Sequence, residues 1–215
     1  IYWDSQPSIS PDGNRLYFTS NRPGPNGEKN IDIWFSDYDF ENEEWGKSKN
    51  LSQINTTGRE CGPFIAPDNV TLFFSSDNYK PNLGGLDFYV TRFDLEFKSW
   101  GQPAHLSAPI STLEDDLFIS LPASGDIMFF SSQRKDIQGV QGGLDIFAAY
   151  TKAMFNAVVL KITVKDDKTG EYIFSNITIK NPLTGRIIKD EITPEKPVID
   201  LVISDTDFGD KPDSV

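Results

Sequence analysis

The six residues 84–89, "GGLDFY", return at 142–147 as "GGLDIF", with a more divergent third copy, "KNIDIW", at 29–34. A hexapeptide that recurs reports a repeated structural unit before it reports chemistry, so its interval governs the rest of the reading. Asp32 and Asp87 lie 55 residues apart, and Asp87 and Asp145 lie 58 apart. Trp45 and Trp100, and likewise Leu51 and Leu106, are separated by 55, while Pro11, Pro67 and Pro122 follow one another at 56 and 55. Markers of such different chemistry keep one period only if three copies of a single unit fill most of the first 150 residues.

Each unit contains four short stretches of β character. The first ends in a turn, "PSISPDG" or "PFIAPDN", where Pro presets φ and Asp-Gly or Asp-Asn accepts the reversal. The third copy, "PASGDIMFF", is expected to use a longer turn. Then come "RLYFTS", "TLFFSS" and "IMFFSS", whose aromatic and branched residues suit a buried strand. A Gly/Pro/Asn-rich loop leads to "DIWFS", "DFYVT" or "DIFAA", and a fourth strand is expected around "EWGKSKNLS" and "SWGQPAHLS". Helical periodicity is absent, so the unit is a four-stranded antiparallel meander. Such units at this period pack face to face around an axis as propeller blades, because none can bury both faces alone.

The totals set limits. The formal net charge of −12, from 32 acidic and 20 basic residues, repels phosphate backbones and anionic membrane surfaces, so nucleic acid is an unfit partner. The lone Cys61 excludes an intrachain disulfide, and with one His there is no zinc cluster; no cofactor or metal is expected. No apolar run is long enough to span a membrane as a helix. The opening "IYWDSQPSIS" lacks the basic and apolar regions of a signal peptide and starts inside a repeat, so the expectation is a piece of something longer.

The stretches "WDSQPSISPDGNRLYFTSNRPG", "INTTGRECGPFIAPDNVTLFFSSD" and "GGLDIF" resemble the TolB-type, WD-repeat-like propeller blades of bacterial OmpA-family envelope proteins. The resemblance covers about residues 3–150. It implies that 1–153 are the last three blades of a larger propeller, in a protein of the periplasm associated with the outer membrane. It further implies a non-enzymatic scaffold that binds other envelope proteins in secretion, motility or envelope integrity, with peptidoglycan association through a domain not present in this chain. "PNGEKNIDIW" departs from the pattern in lacking Gly-Gly.

Beyond Tyr150 the period stops. Val158, Leu160, Ile162 and Val164 alternate with other residues before the turn "DKTG", as do Ile173, Ile177 and Ile179 before "NPLTG", and Ile199, Leu201 and Ile203 after it. Residues 154–204 thus read as a small β-sandwich, and "ITVKDDKTGEYIFSNITIKNPLTGR" resembles the start of a carboxypeptidase-regulatory-like domain. Residues 205–215 read as an acidic tail.

For chemistry the candidates are few. His105 in "HLS" fills the slot of Asn50 in "NLS", which marks a strand end rather than a catalytic base. Cys61 has no basic helper in sequence and reads as a quiet thiol. Asp4, Glu60 and Asp115, at spacings of 56 and 55, are expected just ahead of each blade's first strand. They either fasten the loop between blades or line a channel mouth, where acids could bind a cation or a basic partner. Two of them could also flank a sugar bond, which keeps a carbohydrate-active enzyme or a glycan- or ion-binding propeller as the alternative. Asp32, Asp87 and Asp145 are expected to accept loop amides at the start of the third strand, and Gly84, Gly85, Gly142 and Gly143 to end the loop before it. The acid-rich "DYDFENEE" and "DTDFGD" fall short of a calcium loop and read as solvated turns.

Overall fold

The computed structural model describes residues 2–25, 27–150, 158–173, 176–180, 187–192 and 198–203. The chain is all-β. A first sheet holds β1 (Asp4–Ile9), β2 (Arg15–Ser20), β3 (Asp32–Asp39), β4 (Glu44–Trp45) and β5 (Lys49–Asn50). A second holds β6 (Glu60–Ile65), β7 (Thr71–Ser76), β8 (Asp87–Asp94), β9 (Ser99–Trp100) and β10 (Ala104–His105). A third holds β11 (Asp116–Ser120), β12 (Ile127–Ser132) and β13 (Asp145–Tyr150). All pairings are antiparallel. The expected fourth strand is broken in two: β4 and β5 both pair with β3, as β9 and β10 both pair with β8. The third sheet has three strands among the described residues.

The same local conformation is written three times. Gly13, Asn69 and Gly125 each donate a backbone N–H three residues back, to Ser10, Ala66 and Pro122, at 2.8, 3.0 and 3.0 Å. Their φ values of 74°, 65° and 62° lie in the left-handed region that Gly and Asn tolerate. The third turn is therefore no longer than the other two. Pro122 corresponds to Ser10 and Ala66, and the expected match with Pro11 and Pro67 is displaced by one residue. Each inner strand also carries a bulge, with Gln6, Gly62 and Phe118 at φ 55°, 60° and 60° where the register shifts. Around it Asp4 faces Ser20, Glu60 faces Ser76 and Asp116 faces Ser132. The third member of the acid series is thus Asp116, not Asp115. The inner half of the unit repeats at 56 both times, so the step of 55 from Glu60 to Asp115 falls one residue short.

The sheets stack in chain order. β6 packs on β1, β2 and β3, and β11 packs on β6, β7 and β8, so neighbouring sheets meet along their inner strands. Tyr17, Ile33 and Leu51 of the first sheet bury Leu72, Phe74 and Tyr89 of the second. Phe73 and Phe88 of the second bury Met128 and Phe130 of the third. Each such fully buried side chain is worth about 2–3 kcal/mol of removed apolar surface. Polar ties follow the same seam. Gly62 N–H donates to Gln6 Oε1 at 2.8 Å, Ile65 N–H to Ser8 Oγ at 3.1 Å, and Ser75 Oγ to the Asp116 carbonyl at 2.8 Å. These are consecutive blades of a partial β-propeller.

Farther along, β14 (Val158–Thr163) pairs with β17 (Val198–Ile203), and β15 (Asn176–Lys180) with β16 (Ile187–Ile192), both antiparallel. The Asp166–Gly170 turn is closed by Gly170 N–H on the Asp166 carbonyl. The boundary expected at 153/154 and the acidic tail, including "DTDFGD", lie outside the described residues.

Candidate functional site

The recurrent acids are the natural starting point. Glu60, at the start of β6, is fully buried. Its Oε2 accepts the Thr56 N–H at 2.7 Å, and its Oε1 accepts the Thr56 and Ser76 hydroxyls at 2.7 and 2.6 Å. Burial pushes the carboxyl above its ordinary range, with the hydrogen bonds from Ser76 and Thr56 opposing the shift. Asp116 repeats the device: its Oδ2 accepts the Thr112 N–H at 2.6 Å and the Thr112 hydroxyl at 3.0 Å. Arg134, also buried, adds its Nη2 to Asp116 Oδ1 at 3.3 Å and gives further donors to the Pro109 and Ile110 carbonyls. Asp4 takes the same slot in β1 but is exposed and pairs with Arg22 Nη2 at 2.8 Å. The channel-mouth expectation therefore fails for Glu60: its carboxylate is enclosed and committed to the loop before its own strand.

Asp115 has a different task. Its Oδ1 accepts the Leu86 N–H at 2.9 Å, tying the loop that precedes β8 to the loop that precedes β11. That contact explains the glycines. A Cβ on Gly84 would come within 2.5 Å of the Leu113 carbonyl oxygen, and one on Gly85, at φ 58°, within 2.5 Å of Asp115 Oδ1. Gly142 and Gly143 have open space where their Cβ atoms would be.

The Asp that opens each third strand anchors local structure. Asp87 Oδ2 accepts the Leu83 N–H, and Asp145 Oδ2 accepts the Gln141 N–H at 3.0 Å. Asp32 instead accepts the Asn50 amide at 2.7 Å, and His105 Nε2 stands 2.9 Å from Asp87 Oδ2 in the equivalent place. His105 is thus a strand-end partner of a buried acid. Cys61 is buried, which pushes its thiol up to about 12 and keeps it protonated. The "DYDFENEE" acids form a turn in which Asp39 Oδ1 accepts the Glu41 and Asn42 N–H groups at 3.0 and 3.2 Å.

Sequence reasoning missed Thr56, Thr112 and Arg134. The signal was there in the spacing Thr-x-x-x-acid, present in "TTGRE" and "TLEDD", which the one-residue misregister concealed. It also missed a cleft of about 220 Å³ between the first two sheets, where Asp12, Arg15, Tyr17, Asn69 and Trp100 meet. There Asn69 Nδ2 donates to Asp12 Oδ2 at 2.8 Å, and Arg15 Nε to Asp37 Oδ1 at 2.6 Å. Among the described residues no three His, Cys, Asp or Glu side chains group as a metal site, and no helix is long and apolar enough to cross a membrane.

No protein family and no curated protein matches the sequence. Among solved structures, a protein of Agrobacterium tumefaciens assigned as TolB is similar, with 20% identity and a TM-score of 0.44. The match covers 70% of this chain and 50% of that one, so this chain spans about half its length. A likeness of that size carries no argument about activity.

Proposed function

We propose that the chain is a non-enzymatic protein-binding module of a bacterial cell envelope, located in the periplasm, associated with the outer membrane and docking other envelope proteins. The observation that supports this most is the state of the recurrent acids. Glu60 and Asp116 are buried and bonded to Thr56 and Thr112, so the groups best suited to acid–base chemistry are spent on fastening the loops before their own strands. What faces solvent is adhesive instead: Leu95 and Phe97 on the β8–β9 turn and Phe40 on the β3–β4 turn are exposed, and such apolar tips on a chain of net charge −12 suit protein contact. The likeness of the repeats to TolB-type blades supports the compartment.

The test is to express the tagged chain in a Gram-negative envelope, fractionate it and crosslink. Recovery with the outer membrane and a crosslinked partner lost on Leu95→Asp plus Phe97→Asp is the expected result. Glycan hydrolysis that Glu60→Gln abolishes would overturn the reading in favour of a carbohydrate-active enzyme.

A further inference from the structure

The two joints between successive sheets are built alike but not charged alike. At each, the strand that opens a new sheet reaches back to the loop before the previous sheet's third strand: Glu60 N–H donates to the Ile31 carbonyl at 2.8 Å, and Asp116 N–H to the Leu86 carbonyl at 2.7 Å. Each contact joins the starts of two strands that carry buried acids, Asp32 and Glu60 at the first joint, Asp87 and Asp116 at the second. The second joint gives each acid a basic partner, His105 Nε2 at 2.9 Å from Asp87 Oδ2 and Arg134 Nη2 at 3.3 Å from Asp116 Oδ1. At the first joint the same positions hold neutral side chains. Asn50 replaces His105 and donates its amide to Asp32 Oδ2 at 2.7 Å; Asn78 replaces Arg134, its N–H bonding Ser76 Oγ as the Arg134 N–H bonds Ser132 Oγ. Glu28 adds a third acid, four residues before Asp32, where Leu83 precedes Asp87. Among the described residues no ion pair reaches Glu28, Asp32 or Glu60. The counterparts of both bases lie within this chain, so the deficit belongs to the joint itself.

Two carboxylate oxygens at this joint also lack any donor. Asp32 is 2% exposed and its Oδ1 has no hydrogen-bond partner; Glu28 Oε2 is enclosed and equally unpartnered. Gly24 makes room for the Glu28 carboxylate, since a Cβ there would stand 2.6 Å from Glu28 Oε1. Burial raises the Asp32 carboxyl above its ordinary range; the Asn50 hydrogen bond opposes the shift and the nearby Glu28 charge adds to it. Asp87 Oδ1 is unpartnered too, but the other oxygen of that carboxylate has the His105 ring. Glu60 spends its oxygens on Thr56 and Ser76, which leaves Glu28 and Asp32 as the unanswered pair. Buried like charges without a basic partner are strongly unfavourable, and an ion from solution removes the penalty. We propose that Glu28 and Asp32 bind a calcium ion at the joint between the first and second sheets. Two carboxylates match its charge, and calcium completes an irregular shell of about six to eight oxygens with neutral carbonyls and water, where magnesium demands a regular octahedron. The inference rests on the repeat and is independent of the function proposed above.

Calcium chloride titrated into the chelator-treated chain, followed by calorimetry and by thermal melting near neutral pH, tests it. One ion per chain is expected, with a dissociation constant on the order of 10⁻⁴–10⁻³ M, and about 5 mM calcium should raise the melting midpoint by about 2–8 °C. Glu28→Gln, which keeps the shape of a loop side chain, and Asp32→Asn should each weaken binding at least about tenfold. Without calcium, Glu28→Gln should melt higher than wild type, because it removes one of two opposed charges. Asp87→Asn, at the second joint, should leave calcium binding unchanged. A wild type that takes up no calcium, an equal response to magnesium, or binding that survives both Glu28→Gln and Asp32→Asn would overturn the proposal. Indifference to calcium combined with a more stable Glu28→Gln would overturn it in favour of a proton held between the two carboxylates.

Discussion

The middle sheet and the third sheet are nearly the same sentence read in different company. "TLFFSS" and "IMFFSS" form strands of equal length and register, yet Phe73 is sealed and Phe129 lies open. The same holds for the acids: Glu60 is enclosed by Thr56 and Ser76, and Asp4 in the equivalent slot is a surface ion pair with Arg22. A residue's energetic weight in a repeat is set by its neighbours, not by its identity.

Four substitution pairs would break or sharpen this comparison. The largest effect is expected for Phe73→Ala, which leaves a cavity between two sheets and should lower stability by about 3–5 kcal/mol, while Phe129→Ala should change it by under about 1 kcal/mol. Urea denaturation measures both; equal losses would refute the dependence on neighbours. Next, Glu60→Ala strands the half-buried Thr56 N–H and the buried Ser76 hydroxyl and should cost about 3 kcal/mol, against under about 1 kcal/mol for Asp4→Ala. The same denaturation experiment separates them.

Smaller still is the glycine contrast. Gly84→Ala must move the Leu113 carbonyl and should cost about 1–3 kcal/mol, whereas Gly143→Ala, with open space around it, should stay within about 0.5 kcal/mol. The least effect belongs to pH. Burial favours the neutral form of Asp37, but hydrogen bonds from Lys49 and Arg15 outweigh it and hold the carboxyl below its ordinary range. Its contribution is therefore present above about pH 4 and disappears as pH falls through the lowered value, so Asp37→Asn should differ from wild type near neutrality, by well under 1 kcal/mol, and converge in acid. Glu60, raised by burial, has the opposite sign. Its protonated form fits the fold better, so wild type should lose stability relative to Glu60→Gln as pH rises from about 4 through the raised value. Thermal melts across pH check both slopes.

Much of this was legible beforehand. The spacing of Asp32, Asp87 and Asp145 and the aromatic runs at each second strand announced antiparallel sheets, since a β period and a turn residue are local properties. The acid series was legible as a series but misassigned in its third member, because "EDD" offers three consecutive carboxylates and only the pairing of β11 with β12 singles out Asp116. The role of Thr56 was illegible for a related reason: a hydrogen bond from residue 56 to residue 60 depends on a loop conformation that side-chain pattern does not specify.

By itself, then, the sequence determined that three copies of a β unit exist, where each reverses direction and which residues are apolar, because turn chemistry and alternation act within a few residues. Tertiary structure alone decided which phenylalanines are sealed, which carboxylates are consumed and which glycines are crowded. Those outcomes depend on the sheet lying alongside, and burial and desolvation are properties of what surrounds a residue.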